Sequence, residues 1–266
     1  MELAGLNILL AEDNPTNQLV AVQMLESLGA TVTLAVDGAE ALEILDGQLF
    51  DVALIDIEMP RVSGIELIQR LRANDGPVAE MPMIALTAYV MREHRAAITE
   101  AGADGIIAKP ILSIEKFGEE ILGYMRERLG RNAAAGDEHR QPFEADESGA
   151  ADQAVPGAGI DSETFDRLCQ SFDDETLAEL FVKIRADVEG AADRIEHSLS
   201  SNDIMELRAA THILISVAGA IGAVHLQTLA QCLNSAGHAS DIAAIEQDAP
   251  KLLNEAKLVL DFVDAR

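Results

Sequence analysis

The alternation of short apolar runs with helical patterns over the first 130 residues is the strongest constraint on how this chain folds. Each of five runs has the length and composition of a buried strand, and a helical pattern follows each one. This order predicts a parallel sheet with helices on both faces, an α/β doubly wound (βα)5 fold. The predicted strands are NILLA, TVTLA, DVALID, MIALT and GIIAK, starting at Asn7, Thr31, Asp51, Met83 and Gly105.

The alternation ends near residue 130, and two different kinds of sequence follow. Residues 131–159 are rich in Ala, Gly, Asp and Glu without apolar periodicity, which predicts an acidic flexible linker. Residues 160–266 contain four long helical patterns and no strand pattern, which predicts an all-α antiparallel four-helix bundle. We therefore expect two separately folding domains, at residues 1–130 and 160–266.

The charge of the chain excludes several classes of partner. Its 46 acidic and 19 basic residues give a formal net charge of −27, and the acids predominate in both halves. Without a basic patch, nucleic acids and anionic membranes are not expected partners. Neither a secretory signal pattern nor a membrane-spanning apolar run is evident, so we expect a cytoplasmic protein.

Acidic residues follow two of the predicted strands. Glu12 and Asp13 follow the first strand, and Asp56 ends the third. The carboxyl ends of parallel strands meet at one edge of a sheet, so these three carboxylates should lie close together. They would repel one another unless a cation lay among them. Oxygen ligands of this kind suit Mg²⁺, so the sequence predicts a magnesium site.

Two further polar residues end the remaining strands. Thr87 closes the fourth strand, and Lys109 closes the fifth. A hydroxyl and an ammonium group can offset the charge of phosphoryl oxygens, and a carboxylate can carry a phosphoryl group as an acyl phosphate. Any one of these residues alone would be an ordinary turn or capping residue. Together with the acids they predict phosphoryl chemistry, with Asp56 as the nucleophile.

Four motifs in this region resemble a known family. LLAEDNPTNQ, VALIDIEMPRVSG, IALTA and IIAKP, in this order and spacing, resemble the receiver domain of two-component response regulators. The resemblance covers about residues 6–129. It implies that Asp56 accepts phosphate from a phosphohistidine of a sensor histidine kinase or another donor, with no turnover of a separate substrate. Thr87 and Lys109 would contact the phosphoryl group.

The same resemblance implies a set of magnesium ligands, and the chain departs from the family pattern at one position. Asp13, Asp56 and the backbone carbonyl of Glu58 would hold Mg²⁺, with Glu12 assisting. Receivers usually carry Tyr or Phe three residues before the lysine, but Ile106 stands there in this chain. Tyr89 could compensate or could be a rim residue, which leaves the usual route of signal output in question.

The helical half contains one histidine in an informative setting. On a helical wheel the apolar residues Leu207, Leu214 and Ile221 form the core stripe, and His212 lies nearly opposite. We therefore expect His212 and its neighbour Ile215 to be exposed.

The segment around His212 resembles the histidine phosphotransfer (HPt) domain over about residues 160–263. That motif reads His, any residue, Leu, Lys, Gly, Ser, Ala, and this chain has Ile215 and Ser216 in place of Lys and Gly. The resemblance implies that a receiver domain docks at the His212 face and that His212 is a candidate phosphohistidine. Loss of the lysine implies weakened transfer.

Two other functions stay open. The bundle could be a protein-docking module without phosphotransfer, which Ile215 and Ser216 favour and His212 disfavours. The chain could instead be a phosphatase of the haloacid dehalogenase type, because Asp56 and Glu58 imitate its Asp-x-Asp start. That class has the pair after its first strand, whereas here the pair follows the third predicted strand.

Overall fold

The computed structural model describes residues 3–87, 92–109, 111, 113–133, 159–170 and 172–266. The N-terminal domain has the strands β1 (Asn7–Ala11), β2 (Thr31–Ala35), β3 (Val52–Asp56), β4 (Met83–Thr87) and β5 (Gly105–Ala108). Its helices are α1 (Pro15–Ser27), α2 (Gly38–Gly47), α3 (Gly64–Arg72), α4 (Pro77–Glu80), α5 (Arg92–Ala101) and α6 (Ile114–Ala133). The C-terminal helices are α7 (Ser162–Gln170), α8 (Asp174–Ser201), α9 (Ile204–Ala220), α10 (Val224–Ala239) and α11 (Ile242–Asp264).

The five strands form one parallel sheet in the order β2-β1-β3-β4-β5. The chain leaves β1 toward β2 on one side and later returns to pair β3 with β1 on the other side. The order therefore reverses between β1 and β3, and their carboxyl ends are neighbours. This confirms the predicted doubly wound fold, and it makes neighbours of the two strand ends that carry the predicted acidic residues.

Apolar side chains on both faces hold the sheet between two layers of helices. In β1, Ile8 and Leu10 point into the core that includes α1 and α6, whereas Leu9 and Ala11 point into the core beneath α2 and α3. Strands β3 and β4 alternate in the same way and are buried at every position. Side chains of a strand alternate between faces, so a continuous apolar run is what a sheet covered on both sides requires.

The C-terminal half is the predicted helical bundle, built mainly from α8, α9, α10 and α11. The core face of α8 is made by apolar residues at helical spacing, among them Leu180, Ile184 and Val188. Asn202 ends α8 in the left-handed conformation (φ 55°), and the side chain of Asp203 caps the start of α9. The chain therefore reverses over two residues, which sets α8 and α9 against each other.

The bundle also packs against the N-terminal domain. Both α8 and α9 contact α1, and the apolar core on the α1 side of the sheet is continuous with the core of the bundle. Helix α6 runs to Ala133, three residues into the predicted linker, and residues 134–158 lie outside the described residues, so the rest of the linker stays a prediction. Within the residues that the structure describes, no helix combines the length and apolar character needed to cross a bilayer.

Candidate functional site

The loop between β1 and α1 holds the first two acids at the edge of the sheet. The backbone N–H of Glu12 donates to Ala35 O (3.1 Å), which extends the pairing of β1 with β2 by one residue. Asn14 then caps α1 by accepting from Asn17 N (2.9 Å), and Pro15 begins the helix. This short path from strand to helix directs Glu12 and Asp13 toward the carboxyl end of β3.

Asp56 is the last residue of β3 and is 1% exposed. The first residue of α3, Gly64, lies directly against its backbone: a Cβ atom there would be 2.1 Å from Asp56 O and 2.8 Å from Ile57 Cα. Gly64 N also donates to Ile57 O (3.0 Å). The position of Asp56 therefore depends on a close backbone approach that a side chain at residue 64 would prevent.

We expect Gly64→Ala to destabilise the N-terminal domain by about 1–3 kcal/mol, because the added methyl group forces β3 and α3 apart. The midpoint of urea unfolding, followed by circular dichroism, measures this change. Gly47→Ala is the matched control, because a Cβ atom on this helical residue meets nothing within 4 Å. Equal midpoints for the two variants would contradict the role assigned to Gly64.

Lys109 joins the carboxylates of the two strand ends. Its Nζ donates to Glu12 Oε2 (2.6 Å) and lies 2.8 Å from Asp56 Oδ2. Thr87 is buried at the end of β4, and its carbonyl accepts from Lys109 N (2.8 Å), which aligns the ends of β4 and β5. The five residues predicted from the strand ends therefore lie at one edge of the sheet, and the structure brings the acids and Lys109 together.

The acidic edge is short of positive charge, as the pKa values of its groups indicate. Burial, and secondarily the charge of Asp56, raise the pKa of Glu12 to about 7 and raise the pKa of Asp13 above its usual value. Burial opposes the charge of Lys109, but Asp56 and Glu12 outweigh it and raise the pKa of the ammonium group. Lys109 contacts Glu12 and Asp56, so one ammonium group offsets the charge of two carboxylates beside a third, that of Asp13.

The same three carboxylates fit a divalent cation. One oxygen from each of Glu12, Asp13 and Asp56 lies within 4.8 Å of the other two. The donor set is all oxygen, and Asp13 is only partly buried, so water can complete the coordination. A bound cation would supply the charge that the raised pKa values of Glu12 and Asp13 call for.

His212 of α9 lies at this acidic edge and not in open solvent. Its Nδ1 is 2.8 Å from Glu58 Oε2, and its side chain is 13% exposed. Burial lowers the pKa of His212, but the contact with Glu58 outweighs burial and raises it. The prediction that His212 is exposed is therefore wrong, because in the full chain the N-terminal domain covers the face of α9 that lies opposite the core stripe.

The prediction that Ile215 is exposed is also wrong. Residues 214–219 of α9 are all buried, so the helix is covered all round and not on one stripe. Ile215 is fully buried, so a lysine at this position would have a buried ammonium group, which costs free energy. Position 215 is therefore poorly placed to provide the charged lysine of the HPt motif. Ser216 lines a cavity of about 30 Å³ together with Glu12 and Lys109, so the bundle closes the acidic edge on this side.

A second polar contact joins the domains beside the site. Asp187 Oδ2 of α8 accepts from Thr16 Oγ1 (2.5 Å) and from Asn14 Nδ2 (3.1 Å). Thr16 is fully buried and Asn14 nearly so. Sequence patterns missed this contact, because Asp187 is an unremarkable acid on a long helix and its partners belong to the other domain. Tyr89, singled out in the sequence, lies outside the described residues.

Known proteins match both the N-terminal domain and the longer chain. The family model for the response regulator receiver domain matches residues 8–121. The polar-differentiation response regulator DivK of Brucella anthropi is 32% identical over 119 residues, which cover 45% of this chain and 95% of DivK. The aerobic respiration control sensor protein ArcB of Escherichia coli O157:H7 is 26% identical over 261 residues, which cover 97% of this chain.

The chain spans only 31% of the length of ArcB. Among solved structures, the receiver domain of sensor histidine kinase PA1611 from Pseudomonas aeruginosa PAO1, which has a magnesium ion in its active-site cleft, is 35% identical. The match covers 46% of this chain and 99% of that domain, with a TM-score of 0.43. DivK is matched over nearly its full length, and the family model runs from β1 into α6, so this chain belongs to the response regulator receiver domain family through residues 8–121.

Proposed function

We propose that Asp56 accepts a phosphoryl group from a phosphohistidine in a Mg²⁺-dependent reaction, as part of a phosphorelay. The observation that carries this proposal is the double contact of Lys109 Nζ, at 2.8 Å from Asp56 Oδ2 and 2.6 Å from Glu12 Oε2. A carboxylate fixed beside a lysine and two further acids has both a nucleophilic oxygen and neighbours able to hold a cation. This combination suits phosphoryl transfer better than a purely structural role.

The chemistry would proceed by direct displacement at phosphorus. An oxygen of Asp56 attacks the phosphorus atom, the phosphorus–nitrogen bond breaks, and its electron pair returns to the donor imidazole. Lys109 and Thr87 contact the phosphoryl oxygens and offset their charge. Glu12, Asp13, Asp56 and the backbone carbonyl of Glu58 would hold Mg²⁺, which would supply further positive charge for the transfer.

The donor we propose is a sensor histidine kinase or another phosphohistidine protein. ArcB is a sensor protein, and it matches nearly the whole of this chain. We also propose that residues 134–158, which follow α6, act as a linker, and that the chain turns over no separate substrate.

For the bundle we propose an HPt-like role, in which it docks the receiver and exchanges phosphate between His212 and Asp56. The contact of His212 Nδ1 with Glu58, two residues after Asp56, supports this role. The alternative is a bundle that only docks, and the replacement of the motif's Lys and Gly by Ile215 and Ser216 favours that alternative. Phosphohistidine survives alkali and is lost in acid, so its presence or absence at His212 discriminates the two.

The test is incubation of the full chain with a small phosphodonor, phosphoramidate, with Mg²⁺ or with EDTA. We expect phosphate on the peptide that contains Asp56 in the presence of Mg²⁺ and none in EDTA, as located by mass spectrometry. Phosphate that is equally abundant in EDTA, or that is absent from this peptide, would contradict the proposed function.

The contact of Asp187 with the receiver gives a prediction about docking. We expect Asp187→Ala to weaken docking of the bundle about 10- to 100-fold, because the buried hydroxyl of Thr16 and amide of Asn14 lose their shared acceptor. Each such loss costs about 1–3 kcal/mol, and about 1.4 kcal/mol corresponds to a tenfold change. Faster hydrogen–deuterium exchange in peptides that cover α1 and α8 measures the effect.

The matched control for docking is Asp193→Ala, which removes an exposed acid from the same helix. Its exchange should equal that of the unaltered chain. If both variants exchange at the unaltered rate, the Asp187 contact does not hold the domains together.

A further inference from the structure

The side chain of Glu58 is unused in the chemistry described so far, which draws only on its backbone carbonyl. Resting on the proposed function, we propose that the Glu58 carboxylate is a positioning residue for His212. It holds the imidazole with a proton on Nδ1 and thereby makes Nε2 the atom that exchanges phosphate with Asp56. The contact that carries this inference is the 2.8 Å distance from His212 Nδ1 to Glu58 Oε2.

Glu58 is in contact with both groups of the proposed exchange. Its backbone N–H approaches Asp56 Oδ1 at 3.4 Å, while its carboxylate contacts the imidazole. The two side chains of this pair are 13% and 35% exposed, so the contact lies at the margin of the docked interface and is only partly screened by water. One residue therefore links the position of the imidazole to the position of the phosphoacceptor.

A carboxylate accepts hydrogen bonds and does not donate them, so the nitrogen beside it carries the hydrogen. In the neutral ring the lone pair is then on Nε2, which defines the reactive nitrogen. Glu58 lies two residues after the end of β3, so this positioning carboxylate belongs to the receiver half of the chain.

The proposed exchange of phosphate between Asp56 and His212 requires no proton to move. The lone pair of Nε2 forms a bond to phosphorus, the bond from phosphorus to the Asp56 oxygen breaks, and its electron pair remains on the Asp56 carboxylate. The product ring keeps its proton on Nδ1 and gains a positive charge, which the Glu58 carboxylate offsets at 2.8 Å. Glu58 thus stabilises charge that develops only as phosphate reaches the ring.

The first test measures the transfer step in Glu58→Ala and Glu58→Gln. Each full chain is labelled with phosphoramidate and Mg²⁺, and the appearance of alkali-stable phosphate at His212 is followed relative to acyl phosphate at Asp56. We expect Glu58→Ala to slow this step about 10- to 100-fold, by analogy with the loss of the partner that orients a metal-ligating histidine. Glu58→Gln keeps an acceptor oxygen but loses the charge, so partial rescue is expected.

The matched control is Glu66→Ala, because Glu66 is an exposed acid on α3 whose partner is Arg70. We expect it to leave the transfer step unchanged. Nitrogen-15 NMR of His212 supplies a readout that a merely structural role would not move. The unaltered chain should carry its proton on Nδ1, and Glu58→Ala should shift the ring toward the tautomer protonated on Nε2.

Several outcomes would overturn the inference. Transfer at the unaltered rate in Glu58→Ala, or an unchanged tautomer in that variant, would exclude a positioning role. Labelled Asp56 with no phosphate at His212 in the unaltered chain would remove the exchange that Glu58 is proposed to assist. Failure to label Asp56 at all would instead contradict the proposed function, so the two failures are distinguishable.

Discussion

Replacing Asp56 with Asn will reduce phosphorylation of the receiver to the background of the assay. The amide oxygen is a weak nucleophile, and the substitution also removes one of the three carboxylates within 4.8 Å of one another. Lys109 keeps Glu12 as a partner, so we expect the fold to survive. The measurement is the fraction of phosphorylated protein after incubation with phosphoramidate and Mg²⁺, determined by intact-mass spectrometry.

Asp51→Asn is the matched control for this substitution. Asp51 directly precedes β3, is exposed, and accepts from Asn7 N through Oδ2 (2.7 Å), a contact that an asparagine oxygen can keep. Full labelling is expected in this control. Comparable labelling of Asp56→Asn at neutral pH would show that another residue is the phosphoacceptor.

Replacing Arg72 with Ala will destabilise the receiver by about 3–5 kcal/mol, the usual cost of removing one partner from a buried ion pair. Arg72 Nη2 contacts Asp104 Oδ2 (2.5 Å), and the Asp104 side chain is 3% exposed. The guanidinium also donates to three backbone carbonyl oxygens, those of Gly102, Ala79 and Met81. The substitution therefore removes a charge and several hydrogen bonds that join α3 to the segments preceding β4 and β5.

The measurement for Arg72→Ala is the midpoint of urea unfolding followed through the receiver transition. Arg70→Ala on the same helix is the control, because Arg70 is exposed and pairs with Glu66 one turn away. Such a surface pair contributes about 0.2–1 kcal/mol. A midpoint for Arg72→Ala equal to that of the control would mean that Arg128, 3.5 Å from Asp104, is a sufficient partner.

The receiver fold and the clustering of acidic residues at one edge of the sheet could be predicted from the sequence, because both follow from local patterns. Buried strands are continuous apolar runs, and the residues after parallel strands meet at one edge whatever the details of packing. Glu12, Asp56 and Lys109 are far apart in the chain, yet each directly follows or ends its own strand. The rule that residues at the ends of parallel strands meet at one edge was therefore sufficient to predict that these three residues lie together.

The surroundings of His212 could not be predicted in the same way, because they depend on contacts between domains. A helical wheel identifies the most apolar face, but it assigns the opposite face to solvent by default. The near-continuous apolar run from Ile213 to Val217 was a signal that α9 is covered on more than one side. Nothing in the sequence indicated that the side chains of Glu58 and Asp187 contact the other domain, since acidic residues of this kind are common.

Because α9 covers the edge that holds Asp56, an outside phosphohistidine and His212 compete for the same place on the receiver. Each imidazole must approach the same acidic edge, and two imidazoles cannot occupy that edge together. The bundle is part of the same chain, so it competes at an effective local concentration on the order of millimolar, however dilute the protein is. Under the proposed function, a phosphohistidine donor would therefore reach Asp56 only while the bundle is undocked, and the rate of undocking would set an upper limit on the rate at which Asp56 is phosphorylated.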